Sequence, residues 1–397
     1  MKALVFERDV PRFAAAKVLS KLAPARAHRI GPLTLDEHYV ERALPGPEWQ
    51  RIRPRLSGIC GSDLATVQGT SSRYFEPIVS FPFVPGHEVV ADTSDGQRVV
   101  LEPVLGCVAR NISPVCSWCA AGHLGRCEHL TFGNLRPGLQ SGFCCDTGGG
   151  WSTGMIAHRS QLHAVPDELT DEDAVMIEPM ACCVHAALSP GLLGGAAGGA
   201  IAAVIGAGTI GALTIRAITA FNPVSHLIAA ARHPEQVALA RSFGAHTVVD
   251  PSALARTVRR ITGSMAIGDG DIERLTGGAD VVFDCVGTAE SITQALSVIR
   301  PGGRIVLVGM PATVSVDLTP LWHREVTLVG AYAYGSEPAL GGQRTFDLAI
   351  ELAPGLETLV SATYPLHDHA LAFDHALNAG RRGATKICFD LRKEKQR

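Results

Sequence analysis

The residues able to do chemistry fall in three short stretches: Cys60-Gly61-Ser62-Asp63, Pro85-Gly86-His87-Glu88 and Ile177-Glu178-Pro179. Together they offer a thiolate, an imidazole and two carboxylates. That is the donor set of an open zinc site, where three protein ligands leave a fourth position to water or substrate. Each piece alone is ordinary, since a single Cys often behaves as a small hydrophobe. The conjunction points to a metal centre built on Cys60 and His87. Glu178 is the favoured third donor. Cys182, one turn along the same expected helix, is the softer alternative. Glu88 is either a ligand or a neighbour that exchanges with water. His185, on the same helix face, reads as a packed helix residue.

A second set is Cys107, Cys116, Cys119 and Cys127, with one pair spaced C-x-x-C. A tight knuckle offers two thiolates and the returning loop brings the others, as a tetrahedral four-cysteine zinc requires. Such an ion has no open position and holds a loop, here a lobe spanning about 105–130. Cys144 and Cys145 lie outside this spacing.

The third feature is Gly206-Ala207-Gly208-Thr209-Ile210-Gly211, directly after the apolar run Ala200 to Ile205 and before a helical Ala212 to Phe221. In a dinucleotide site the first glycine permits the turn, the second lets backbone approach the pyrophosphate, and the third lets helix pack on strand. The phosphates then sit at the helix N-terminus, where free N–H groups and the dipole attract anions. The next strand ends in Ala231-Arg232-His233, where NAD sites usually carry an acid for the ribose 2′-OH. An acid would repel a 2′-phosphate and Arg can clamp one, so NADP is expected over NAD. Strand ends carry ligands in such sheets, which adds Val286, Gly287, Val308 and Gly309 as a border for the nicotinamide ribose.

The elements that must position these groups follow from patterning. Pro/Gly-punctuated strands run from about Leu33 to Val104, an antiparallel β region. An acidic segment from Asp167 to Asp173 opens a helix carrying Glu178. Ser189 to Gly199 reads as a flexible approach to a second domain, in which β-α alternation continues through 244–249, 279–287 and 305–308. Residues 9–32 read as a peripheral insertion with a helix near Phe13 to Leu19. At 397 residues, 46% apolar, the chain is too long for one core and suggests two domains. A net charge of −3 with no basic block gives no reason to expect nucleic acid or anionic membrane as a partner. The N-terminus becomes charged too early for a signal peptide, and no apolar run is long enough to span a bilayer. Eleven cysteines then suggest a reducing, cytoplasmic setting with metal ligation or burial rather than disulfides.

These motifs together resemble the zinc-dependent medium-chain dehydrogenase/reductase superfamily, the alcohol, sorbitol and threonine dehydrogenase group. The likeness covers most of the chain except 9–32. The Ile177-Glu178-Pro179 piece looks like the polyol and threonine dehydrogenase branch. The resemblance implies an α/β fold: a GroES-like β-rich catalytic domain over 1–187, a Rossmann doubly wound parallel-sheet domain over 188–330, and a return to the catalytic domain over 331–397. It implies a homodimer or homotetramer, two zincs, and hydride transfer between NADP(H) and an alcohol or carbonyl. Ser62 would take the hydroxyl proton, since a hydroxyl both donates and accepts. Asp63 would orient a ligand rather than act as a base. Lys386 would reach a coenzyme phosphate by family position. Three departures stand out: Ala91 where a Gly is common, Ala65 where many relatives carry a relay His, and a first lobe cysteine displaced to Cys107. A zinc-free quinone or enone reductase would lack the Cys60/His87 pair, and a non-catalytic nucleotide-binding protein would show a spoiled metal site.

Overall fold

The structure is a computed structural model that describes residues 1–188, 199–268 and 274–394. The glycine-rich stretch 189–198, expected as a flexible approach, lies outside the described residues. Met1–Glu178, Tyr334–Ser336 and Phe346–Arg397 form one compact unit, and Pro179–Ala333 with Glu337–Thr345 form the other. The division falls inside the helix Ile177–Ala187, earlier than the 188 boundary read from sequence. The chain also crosses between units more than once near residue 340.

Among the described residues, the main sheet of the first unit has seven strands, centred on Trp49–Gly58. Antiparallel neighbours of that strand are Val89–Thr93, Met155–His158 and Lys386–Asp390. Its side chains alternate, with Ile52 and Leu56 buried and Arg53 and Arg55 turned outward, the period of a half-buried strand. Pro54 has no N–H to give the ladder, and the register with Val89–Thr93 shifts between Pro54 and Leu56. The strand runs straight into the Cys60 turn.

Among the described residues, the main sheet of the second unit has six parallel strands in the order Thr247–Val249, His226–Ala230, Ile201–Ile205, Ala279–Asp284, Ile299–Leu307 and Thr327–Gly330. Leu227 to Ala230 and Ala202 to Ile205 are continuous buried apolar runs, as strands covered on both faces require. The last of these strands, Thr327–Gly330, pairs in parallel with Ile299–Leu307 within this sheet.

One further local reading changes and one is extended. The acidic segment forms its own turn, Asp171–Ala174, capped by Thr170. The helix bearing Glu178 begins separately at Ile177. The 9–32 insertion is a helix, Val10–Leu22, capped by the Asp9 carboxylate accepting from the Arg12 N–H at 2.9 Å. Phe13 packs on the core and Ala16 is buried, while Val18 and Leu22 are exposed, so the insertion is anchored along one side. Among the described residues, no helix is long and apolar enough to cross a membrane.

Candidate active site and cysteine lobe

Cys60 is the N-cap of the helix Gly61–Val67, so its backbone is extended and its thiol stands at the head of the strand-to-helix turn. The third residue of that helix, Asp63, is fully buried. One of its oxygens, Oδ2, accepts the Cys60 N–H at 3.1 Å. The other, Oδ1, lies 3.4 Å from Nδ1 of His87. A single carboxylate therefore fixes both the turn that presents Cys60 and the ring of His87, leaving the far imidazole nitrogen for a ligand. The donor atoms of Cys60, His87 and Glu88 all lie within 4.8 Å of one another, and His87 and Glu88 are buried. Burial pushes the His87 pKa down, but Asp63 and Cys60 outweigh it and hold it well above its usual value. A buried cluster of thiol, imidazole and carboxylate, oriented by a second carboxylate, fits a divalent zinc.

Glu178, the carboxylate favoured from sequence, is buried in the first turn of its helix but is not in the set of mutually close donors. Burial first, then the charge of Glu88, raise its pKa to about 7, against the opposing pull of His87 and Lys386. Tyr334 lies beside it. Cys182, one turn further on, belongs to the second unit and is also absent from the set. Ser62 is half-buried, next to Cys60 in the first turn. His185 accepts or donates at 2.8 Å with Glu337, in keeping with a packed role.

Lys386 differs from its expected place. It is 3% exposed and ion-paired with Glu88. Burial lowers its pKa, but Glu88 outweighs burial and raises it. The space for this pair exists because residue 58 is glycine: a Cβ there would overlap the Glu88 carboxylate and approach Cε of Lys386 at 2.8 Å. Neither the pairing nor the need for Gly58 has a local sequence signal, because the partners come from three distant segments.

In the lobe, the four sulfurs of Cys107, Cys116, Cys119 and Cys127 also lie within 4.8 Å of one another, and all cysteines are free thiols. Arg110, fully buried, donates to the carbonyls of Leu105, Phe132, Leu135, Arg136 and Gly138. A lone loop Arg gave no warning of this in the sequence. It closes the lobe's return loop around one cation.

In the second unit, Gly206 takes φ +85°, and Gly211 packs against the Gly206 carbonyl. Gly208 caps the helix Thr209–Phe221 and faces open space, with nothing within 4 Å of where a Cβ would stand. This is the room a pyrophosphate needs at that helix start. Thr209 and Ile210 form the first turn. Val286 and Gly287 follow the strand Ala279–Asp284, and Val308 and Gly309 follow Ile299–Leu307. The buried Asp284 carboxylate accepts the Val286 and Gly287 N–H groups at 2.9 and 3.1 Å, which sets the shape of that strand end. Arg232 is exposed just past the strand His226–Ala230, with His233 capping the following helix. Asp250, at the neighbouring strand end, has its pKa lowered first by the Ser252 hydroxyl and further by the charge of Arg232.

Comparison with known proteins agrees with this arrangement. Residues 46–167 match the model of the alcohol dehydrogenase GroES-like domain, and residues 209–353 match that of the zinc-binding dehydrogenase. A protein of Agrobacterium fabrum (strain C58) carrying the provisional name D-xylulose reductase is 30% identical over 350 residues, 84% of this chain and 88% of that one. The L-idonate 5-dehydrogenase of Vitis vinifera is 27% identical over 368 residues, 87% and 89% of the two chains. The fold matches galactitol-1-phosphate dehydrogenase from Escherichia coli at a TM-score of 0.69 and 20% identity, covering 98% of this chain and 100% of that one. The matched domains and this degree of identity place the chain among the zinc-dependent medium-chain dehydrogenases/reductases, alcohol and polyol oxidoreductases that work with zinc and NAD(P).

Proposed function

We propose that this enzyme interconverts a polyol and its ketose at a zinc held by Cys60, His87 and a carboxylate, with NADP(H) preferred. The convergence of the Cys60, His87 and Glu88 donors within 4.8 Å carries the reading. Relatives named for L-idonate and D-xylulose support a hydroxylated carbon chain as substrate. When bound, the metal supplies Lewis acidity toward the substrate oxygen and the nicotinamide supplies the hydride acceptor or donor.

The chain's own residues do the remaining work. Asp63 keeps the Cys60 turn and the His87 ring in register. Lys386 balances the Glu88 charge, so a buried carboxylate stays available without an uncompensated charge. Glu178 supplies the second carboxylate of the site, and which of the two completes the ligand set is decided by mutating each. Ser62 Oγ takes the hydroxyl proton, since Ala65 offers no imidazole for a relay. The four lobe cysteines hold a second, structural zinc. Arg232 and His233 receive the 2′-phosphate of NADP, with Gly206, Gly208, Thr209, Ile210 and Gly211 cradling the pyrophosphate. The working form is a homodimer or homotetramer.

Cys60→Ser tests the reading. Turnover should vanish and metal content should fall by one ion per chain, with coenzyme binding unchanged. Wild-type turnover in this variant would overturn it.

A further inference from the structure

Cys107 reaches the lobe from outside the knuckle. It is separated from Cys116 by eight residues, whereas Cys116 and Cys119 share one tight turn. The four sulfurs are nonetheless held in a closed pattern of backbone donors. Cys107 Sγ accepts the Cys116 N–H at 3.4 Å and Cys116 Sγ accepts the Cys119 N–H at 3.5 Å. Cys119 Sγ accepts the Cys107 N–H at 3.5 Å and Cys127 Sγ accepts the His129 N–H at 3.4 Å. Each thiol thus has one backbone donor. Cys107 has a further partner: Nδ1 of His129 lies 3.2 Å from its sulfur. The His129 ring is itself braced edge-on by Phe132, centroids 6.2 Å apart.

We propose that His129 is a positioning residue of the lobe, donating its Nδ1–H to the Cys107 thiolate and so adding a side-chain restraint to the ligand that enters from outside the knuckle. The inference rests on the reading of the lobe as a metal site. A thiolate that accepts a ring N–H in addition to a backbone N–H carries less unshared charge, and it is pinned by a half-buried ring rather than by its own loop. His129 is not a fifth ligand, because four sulfurs already complete a tetrahedron.

The test uses the full-length chain in the Cys60→Ser background, so that only lobe metal is counted, loaded with Zn²⁺ or Co²⁺. His129→Ala should keep the Co²⁺ absorption of a four-thiolate site but release Zn²⁺ to a chromophoric chelator roughly 10–100-fold faster, the range of outer-shell losses. His129→Asn, whose amide N–H stands near the Nδ1 position, should recover most of the loss, which a purely space-filling role would not predict. Release at the parent rate in His129→Ala would overturn the inference. So would a Co²⁺ spectrum unchanged by Cys107→Ser in the protein that keeps His129, since the ring would then be the ligand in place of Cys107. A Cys60→Ser protein that holds no metal would overturn the lobe reading itself, and the inference with it. If His129→Ala does not fold, His129→Asn and Cys107→Ser still decide the question.

Discussion

Asp63→Asn separates orientation from ligation. The native carboxylate serves two donors at once, the Cys60 N–H at 3.1 Å and Nδ1 of His87 at 3.4 Å. Asparagine has one acceptor oxygen and one NH₂ in nearly the same shape. Its oxygen can keep the Cys60 N–H, the bond by which the third residue of the helix reaches back to the N-cap, so the helix start is preserved. The NH₂ must then face Nδ1, which needs a lone pair there. The ring proton moves to the far nitrogen, where the metal should bind. Loss of an outer partner of a metal-bound histidine typically lowers metal affinity roughly 10–100-fold, about 1.4–2.7 kcal/mol. Removing one buried negative charge near the cation acts in the same direction. The assay is zinc competition against a chromophoric chelator, with the lobe metal as internal reference, alongside kcat at saturating zinc. Coenzyme titration and thermal midpoint should stay close to wild type. An Asp63→Asn protein that holds its Cys60-site metal within twofold of wild type would refute the reasoning, and the His87 ring would then be oriented by packing alone.

Three other outcomes are expected. Arg110→Met strands five carbonyls, those of Leu105, Leu135 and Gly138 in fully buried bonds and those of Phe132 and Arg136 in partly buried ones; each buried one costs about 1–3 kcal/mol if left dry, though loss of the buried charge and entering water offset part of it. The net should be about 3–5 kcal/mol, read as faster lobe-metal loss and a thermal midpoint lowered by roughly 10 °C; a midpoint unchanged within a degree would contradict it. Asp173 accepts the Glu357 N–H at 2.9 Å and the Thr170 hydroxyl at 2.7 Å; burial raises its pKa, but these bonds outweigh burial and lower it. Its stabilisation is therefore present above the usual carboxylate pKa of about 4 and is lost as pH falls through the lower folded value. Asp173→Asn should cost about 1–3 kcal/mol at pH 7 and less as acid is added, so a gap to wild type that widens toward low pH would be wrong in sign. Arg232→Ala should lower kcat/KM with NADPH roughly 10–100-fold while leaving NADH within twofold, in line with one charge-assisted contact; equal losses with both coenzymes would remove the 2′-phosphate assignment.

What could be read from the sequence divides along a physical line. Cys60, His87, the C-x-x-C knuckle and Gly206 to Gly211 were legible because their chemistry is local: a turn, a strand or a helix start presents each one. Asp63 was legible as an orienter for the same reason, being one helical turn from Cys60. The parallel sheet followed from buried apolar runs at regular intervals. The carboxylates were harder. Glu88 and Glu178 are both buried in the same site, and which one converges with Cys60 depends on packing between segments ninety residues apart. Lys386 could be placed only by analogy, and its burial against Glu88 follows from the bare Cα of Gly58. Arg110 and His129 carry no motif, since the carbonyls and the sulfur they bind are brought to them by the folded loop. The break between Asp171–Ala174 and Ile177–Ala187 was missed because acidic first-turn residues announce a helix start but not how soon that helix ends.

The pairing of Lys386–Asp390 with Trp49–Gly58, Cys388 opposite Gly58 and Asp390 opposite Leu56, has a bearing on how the protein is made. The strand Lys386–Asp390 therefore leaves the ribosome more than three hundred residues after the strand it pairs with. Domains ordinarily fold in the order of their synthesis; here the first unit cannot be completed until the second, which lies between its parts, has been made. In that interval the Leu56–Gly58 end of the strand is an open edge able to recruit other strands, and Glu88 has no Lys386 beside it. A chain cut just before Lys386 should therefore yield a well-formed nucleotide-binding half attached to an aggregating one, and production of active enzyme should depend on chaperones that shield that edge until the strand Lys386–Asp390 emerges.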